Sequence, residues 1–151
     1  MPWIAELDRY GLPGHAITIE ITEGLLLNAE SRVNQNLNVM HEAGIQIAID
    51  DFGTGYSSLA YLRKFNIDYL KIDRSFVEDL DGVGYELCSA IIAMAHSLGL
   101  GVIAEGVENA KEDAFLTKNG VNERQGFLFA KPMPAAAFER WLKRYQSRKM
   151  R

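Results

Sequence analysis

Ile45-Gln46-Ile47-Ala48-Ile49-Asp50, followed at once by Asp51-Phe52-Gly53-Thr54-Gly55-Tyr56-Ser57-Ser58, is the stretch on which the fold turns. The first part is a short apolar run rich in branched side chains, the signature of a β-strand. The second part, with two glycines and several hydroxyls, turns the chain. Four further runs share this form: Ala16-Ile-Thr-Ile-Glu20, Tyr69-Leu-Lys71-Ile-Asp73, Gly101-Val-Ile-Ala-Glu105 and, more weakly, Glu123-Arg-Gln125-Gly-Phe127. Each places a charged or amide residue at or near its end.

Helical patterns lie between these runs. Residues 28–43 offer Asn28 as N-cap, Val33, Leu37 and Met40 at helical spacing, and Gly44 as the stop. Residues 84–98 place Leu87, Ile91, Met94 and Leu98 on one stripe before Gly99. Asn109 and Glu112 form a capping-box pair for a helix that ends near Asn119. A last helix follows Pro134, with Phe138, Trp141, Leu142 and Tyr145 expected to face inward, and a shorter one is expected over residues 57–64.

Strands alternating with helices predict a parallel sheet with right-handed crossovers. From Glu20 the steps to Asp50, Lys71, Glu105 and Gln125 are 30, 21, 34 and 20 residues. These suit the βα units of a barrel, whose reactive residues gather at the carboxyl ends of the strands. A doubly wound open sheet is the competing architecture, but it more often carries a glycine-rich phosphate turn after its first strand. Thr22-Glu23-Gly24-Leu25 is not one. The expectation is an α/β fold, an incomplete TIM-type barrel of about five parallel strands.

The chain has 151 residues, enough for one domain with a real core, and its net charge of −4 supplies no overall positive field for nucleic acid. The basic tail (Lys143, Arg144, Arg148, Lys149, Arg151) reads as a solvated terminus rather than a phosphate patch. The one cysteine, Cys88, lies in an apolar helical stretch, excludes an internal disulfide and fits a reducing, cytoplasmic setting. Residues 1–6 do not read as a secretory leader, and no run of about 18 apolar residues is present to span a membrane.

Adjacent Asp50 and Asp51 pose a stereochemical problem, because neighbouring strand side chains point to opposite faces. Both carboxylates reach one site only if the strand ends there. One such Asp alone would read as a cap for the following turn; two held together call for a cation or proton between them. Glu20 and Glu105 end other strands in the same sense, so four carboxylates are expected on one rim. Hard oxygen donors suit Mg²⁺ or Mn²⁺. His15, His41 and His96 lie in a loop or on helices, which argues against zinc.

Lys71, inside an apolar strand, has several readings: a contact to substrate phosphate, a group that orients attacking water, a base of lowered pKa, or a lysine paired with a carboxylate. Gln125 before Gly126 suits either substrate contact or a loop amide bonded to backbone. Glu23 and Glu108 follow their strand-end acids by three residues and suit loop orientation. Gly53-Thr-Gly55 lacks the third glycine of a dinucleotide loop and follows two acids that repel pyrophosphate, while no Gly-Lys-Ser/Thr is present for a P-loop. Metal-assisted phosphodiester hydrolysis fits these parts. So does a one-Mg²⁺ barrel enzyme in which Lys71 removes a proton beside a carboxylate.

The ordered motifs Glu20-Ile-Thr-Glu23, Asp50-Asp-Phe-Gly-Thr-Gly-Tyr-Ser-Ser-Leu59, Lys71-Ile-Asp-Arg-Ser-Phe76, Ala104-Glu-Gly-Val-Glu108 and Gln125-Gly-Phe-Leu-Phe-Ala-Lys-Pro132 closely resemble the EAL family. These are bacterial cyclic di-GMP phosphodiesterases on a modified (β/α)₈ barrel. The resemblance implies hydrolysis of cyclic di-GMP to linear pGpG at a two-metal site that uses Mg²⁺ or Mn²⁺ and is inhibited by Ca²⁺. It implies Glu20, Asp50, Asp51 and Glu105 as metal ligands, Asp51 serving the second cation. It further implies that Lys71 positions the catalytic water with Gln125 nearby, that Glu108 supports the site, and that Glu23 steadies the loop after Asp51, a loop tied in the family to dimerisation.

The chain departs from the family pattern in lacking the Glu-Ala-Leu motif and the later Val-Asn-x-Ser strand. Since a full barrel runs to about 250 residues, residues 1–151 read as a single partial EAL domain. Residues 1–11 form the end of a preceding helix and a linker, 12–141 the motif region and 142–151 the basic tail. The expectation is a truncated chain with little or no activity alone and a tendency to associate. Its parent would be dimeric, with upstream sensory or diguanylate cyclase domains. A degenerate EAL module that senses cyclic di-GMP or binds a protein is the alternative; intact motifs favour a catalytic parent.

Overall fold

The computed structural model describes residues 2–27, 31–53, 62, 65–80 and 82–149. In chain order these form α1 (Pro2–Tyr10), a 3₁₀ turn (Gly14–Ala16), β1 (Thr18–Thr22), α2 (Glu23–Leu27), α3 (Ser31–Glu42), β2 (Gln46–Phe52) and β3 (Tyr69–Ile72). Then follow α4 (Arg74–Glu78), α5 (Val83–Ser97), β4 (Gly101–Ala104), α6 (Ala110–Lys118), β5 (Glu123–Arg124) and α7 (Ala135–Lys149). The expected cap Asn28 lies outside the described residues. So does the helix expected over residues 57–64, except Leu62, which is buried.

The five strands are all parallel and pair in the order β1-β2-β3-β4-β5. Each strand lies beside the next in sequence, with no reversal of order. A doubly wound sheet contains such a reversal, and a barrel does not. The sheet is therefore an incomplete, TIM-like array, as the spacing predicts.

Alternation divides the strands between two faces. Ile21, Ile47, Ile49, Leu70, Ile72, Val102 and Ala104 share one face and join the hydrophobic core with Leu37 of α3, Ile91, Ile92 and Ala95 of α5 and Leu116 of α6. The other face carries Glu20, Asp50, Lys71 and Glu105, with Gln125 just past β5. At its lower end the Tyr69 hydroxyl accepts from Gln46 Nε2 at 3.2 Å. Helices thus cover the apolar face, and the chemistry stands on the face turned from them.

Several elements differ from the sequence expectation. β1 starts and ends two residues later than predicted, so Glu20 is mid-strand; β2 likewise continues past Asp50 to Phe52. α2 follows β1 directly, an element the sequence reading did not include. On α5 the buried stripe is Gly84, Cys88, Ile91, Ile92 and Ala95, whereas Leu87 is exposed. The small residues decide this: a side chain at Gly84 would sit 2.4 Å from the Phe76 carbonyl, so that edge packs closest and bulky Leu87 is turned outward. On α7, Phe138 and Tyr145 are exposed rather than inward-facing. Their rings stack on Trp141 along the helix, with centroids 5.9 and 5.2 Å apart. The Asn109–Glu112 capping box forms as predicted. No helix among the described residues is long and apolar enough to cross a membrane.

Cys88 lies fully buried in this core, and burial pushes its thiol up to about 11. Because the thiolate is the nucleophile, native chain at pH 8 should resist iodoacetamide and react fully once unfolded in guanidinium. Rapid labelling of native chain in a mass-spectrometric time course would contradict this packing.

Candidate active site

The Asp50–Asp51 pair sits at a bulge within β2 rather than at the end of the strand. Ile49 pairs with Leu70 and Phe52 pairs with Ile72, so β2 spends one residue more than β3 over this interval. Asp51 absorbs the extra residue with a φ of 54°, the one positive value among described non-glycine residues. Aspartate tolerates that left-handed conformation better than most side chains. Its N–H donates to Asp50 Oδ1 at 3.1 Å. The ladder resumes at Phe52, which is buried and anchors the bulge to the core.

Lys71 stands on β3 opposite this bulge. Its Nζ donates to Glu20 Oε2 at 2.6 Å, Glu105 Oε1 at 2.7 Å and Asp50 Oδ1 at 2.9 Å, while its side chain is only 3% exposed. Burial alone would lower the lysine pKa; hydrogen bonds to Asp50, Glu105 and Glu20 outweigh it and hold the ammonium above its ordinary range. Lys71 is therefore a fixed cation and donor. That environment is the reverse of what a proton-abstracting lysine needs, which disfavours the one-Mg²⁺ alternative.

Among the described residues, one ammonium faces three carboxylates, which leaves two of the three negative charges unbalanced there. Ligand oxygens of Glu20, Asp50 and Glu105 lie within 4.8 Å of one another. Each carboxylate commits one oxygen to Lys71 and has a second to offer. An all-oxygen donor set with surplus negative charge fits a hard divalent ion such as Mg²⁺ or Mn²⁺. Among the described residues this is the single such cluster, and Asp51, on the bulge, is not part of it.

The loop after β4 brings Glu105 into place. Glu105 N–H donates to the Ile72 carbonyl at 3.1 Å, and Val107 N–H donates to the Gln125 carbonyl at 3.0 Å. Glu112, buried at the start of α6, accepts from Glu108 N–H at 2.7 Å and Asn109 N–H at 3.2 Å. Gly126 permits the crossing, since a Cβ there would meet the Val107 carbonyl oxygen at 2.0 Å. Gln125 is exposed and lines a cavity of about 200 Å³ with Arg74, Glu105, Glu108 and Phe127.

The predicted residues are thus gathered unequally. Glu20, Asp50, Lys71 and Glu105 converge; Gln125 borders them; Glu108 pairs instead with Arg74 Nη2 at 2.9 Å. Glu23 begins α2, which packs on β1 and β2, while the loop it was expected to steady lies outside the described residues. Sequence reading gave Arg74 no role and Glu112 only that of a cap. The signal for both was their position just after a strand or loop that carries a cluster residue.

A barrel-wound parallel sheet bearing this cluster defines an α/β protein with an acidic, cation-fitting rim. The EAL domain family model matches residues 1–132, and the chain belongs to that family. It is 56% identical over 134 residues to the cyclic di-GMP phosphodiesterase PdeR of Escherichia coli K12, covering 87% of this chain and 20% of PdeR. It superposes on the PaMucR phosphodiesterase of Pseudomonas aeruginosa in its c-di-GMP complex with a TM-score of 0.80 and 39% identity, covering 89% of this chain and 55% of that one. The manganese and cyclic di-GMP complex of Klebsiella pneumoniae BlrP1 matches with a TM-score of 0.75 and 34% identity, over 86% of this chain and 34% of BlrP1. The chain therefore spans only part of each relative.

Proposed function

We propose that this chain supplies the metal-binding rim of a cyclic di-GMP phosphodiesterase that hydrolyses its substrate to linear pGpG. The observation that carries the reading is the convergence of Glu20, Asp50 and Glu105 on the buried ammonium of Lys71. Membership of the EAL family and the substrate complexes of its relatives point the same way. Glu20, Asp50 and Glu105 would hold one Mg²⁺ or Mn²⁺, and Asp51 would serve a second. When bound, such ions supply Lewis-acid activation of the phosphodiester and of the attacking water.

The chain's own groups complete the chemistry. Lys71, charged throughout, donates a hydrogen bond that orients the water, with Gln125 at the cavity edge as a further contact. Water adds to phosphorus and one P–O ester bond breaks, leaving a 5′-phosphate and a free hydroxyl. Glu108 supports the site through the loop after β4, and Glu23 steadies the loop after Asp51. Full turnover belongs to the longer domain, dimeric and with upstream sensory or cyclase modules. A cytoplasmic setting accords with the reduced, buried Cys88.

Mn²⁺ titration by calorimetry tests the rim directly. Asp50→Asn removes one negative charge and one ligand and should weaken Mn²⁺ binding by tenfold or more, with folding retained. Incubation with cyclic di-GMP and Mn²⁺ should yield little pGpG from this chain alone. An affinity for Mn²⁺ unaltered by Asp50→Asn would overturn the site. Turnover equal to that of PdeR would overturn the assignment of full activity to the longer domain.

A further inference from the structure

We infer that Arg74 is a positioning residue for the Glu105 carboxylate, a role that rests on the proposed metal site. Arg74 opens α4, immediately after β3, the strand that carries Lys71. Its place is fixed from below: Asp73 caps α4 by accepting from Ser75 N–H at 3.0 Å. Glu78, one turn on, takes the guanidinium Nε. A second guanidinium nitrogen, Nη2, reaches Glu108 Oε1 at 2.9 Å. Arg74 therefore bridges its own helix to the loop of the next βα unit.

The side-chain stem does as much as the charge. Gly106 has a φ of 71°, and a Cβ built there would lie 2.3 Å from Arg74 Cγ. The stem lies directly against the peptide that follows Glu105. Any outward shift of residue 106 would carry Glu105 with it, and Glu105 Oε1 must stay 2.7 Å from Lys71 Nζ. Glu112 and the Gln125 carbonyl hold the loop from its other side, through Glu108 N–H and Val107 N–H. The loop is clamped between these two sets of contacts.

The ion pairs are half exposed, with 51% of the Arg74 side chain and 41% of Glu108 accessible, so as isolated pairs they contribute little to global stability. Their effect is local order. Groups that orient metal ligands typically change affinity by about 10- to 100-fold when removed. Both guanidinium contacts are to carboxylates, those of Glu78 and Glu108.

The test compares Arg74→Ala and Arg74→Lys with the parent in two measurements. In metal-free chain, amide exchange at Val107 and Glu108 should quicken roughly fivefold in Arg74→Ala, with exchange at Leu70 and Val102 unchanged. Mn²⁺ affinity should fall about tenfold. Arg74→Lys keeps the stem over Gly106 and should recover most of the exchange protection. Equal acceleration at the core amides would reduce the residue to a general stabiliser and overturn the inference, as would unchanged exchange at Val107 and Glu108. Failure of the parent to bind Mn²⁺ would instead overturn the proposed metal site, and the exchange arm would still decide whether Arg74 positions the loop.

Discussion

Replacing Lys71 with Met should destabilise the metal-free chain by about 2 kcal/mol and make its stability depend on Mn²⁺ more strongly than that of the parent. Met fills nearly the same volume as the lysine stem, so packing on β3 is preserved and the change is chiefly one of charge. Glu20, Asp50 and Glu105, with ligand oxygens within 4.8 Å, would then face one another with no cation between them. Removing one partner of a buried ion pair commonly costs about 3–5 kcal/mol. The carboxylates are 46%, 27% and 25% exposed for Glu20, Asp50 and Glu105, so water absorbs part of the repulsion and the lower figure is appropriate.

Added Mn²⁺ should restore much of that loss, because three uncompensated negative charges attract a divalent ion more strongly than two. Thermal unfolding in EDTA and in Mn²⁺ measures both effects. A variant as stable as the parent in EDTA would mean that the lysine is not what holds the three acids together. In the longer domain, to which turnover is assigned, metal should restore stability to Lys71→Met but not hydrolysis, because under the proposed mechanism Met has no N–H with which to orient the attacking water. That separation distinguishes a lysine that merely balances charge from one that also orients a reactant.

Local pattern and long-range register contributed differently to what could be read in advance. The strands, their parallel order and the convergence of Glu20, Asp50, Lys71 and Glu105 follow from short apolar runs separated by helical stretches. The bulge at Asp51 does not, because it exists only relative to the pairing of β2 with β3. Strict alternation would place Asp50 and Asp51 on opposite faces, and the sequence suggested a strand end there, whereas β2 continues to Phe52. Likewise, helical periodicity put Leu87 on the inner stripe of α5. The tight contact of Gly84 with the Phe76 backbone turns that residue out. Hydrophobic periodicity registers large side chains, whereas close packing is decided by small ones. Arg74 was missed for a related reason: its partners, Gly106 and Glu108, lie on the following βα unit.

Gly126, like Gly84, lies where two backbone segments cross in close contact. Gly126→Ala should cost about 3 kcal/mol, the upper end of ordinary overpacking, and should displace Gln125 from the edge of the cluster. Its φ is not positive, so the cost is steric rather than conformational. The new Cβ would lie 2.0 Å from the Val107 carbonyl oxygen and 2.3 Å from the Val107 nitrogen. Both are backbone atoms, and Val107 is fully buried, so neither can swing aside as a side-chain end would. Relief requires separating the two segments. That stretches the bond from Val107 N–H to the Gln125 carbonyl and the bond from Leu128 N–H to the Val107 carbonyl, each 3.0 Å. Denaturant unfolding measures the global cost, and amide exchange at Val107 and Leu128 locates it. A loss below about 1 kcal/mol, with those amides still protected, would show that the crossing tolerates a side chain. In that case the glycine after Gln125 would have to be explained by what approaches it from the cavity side.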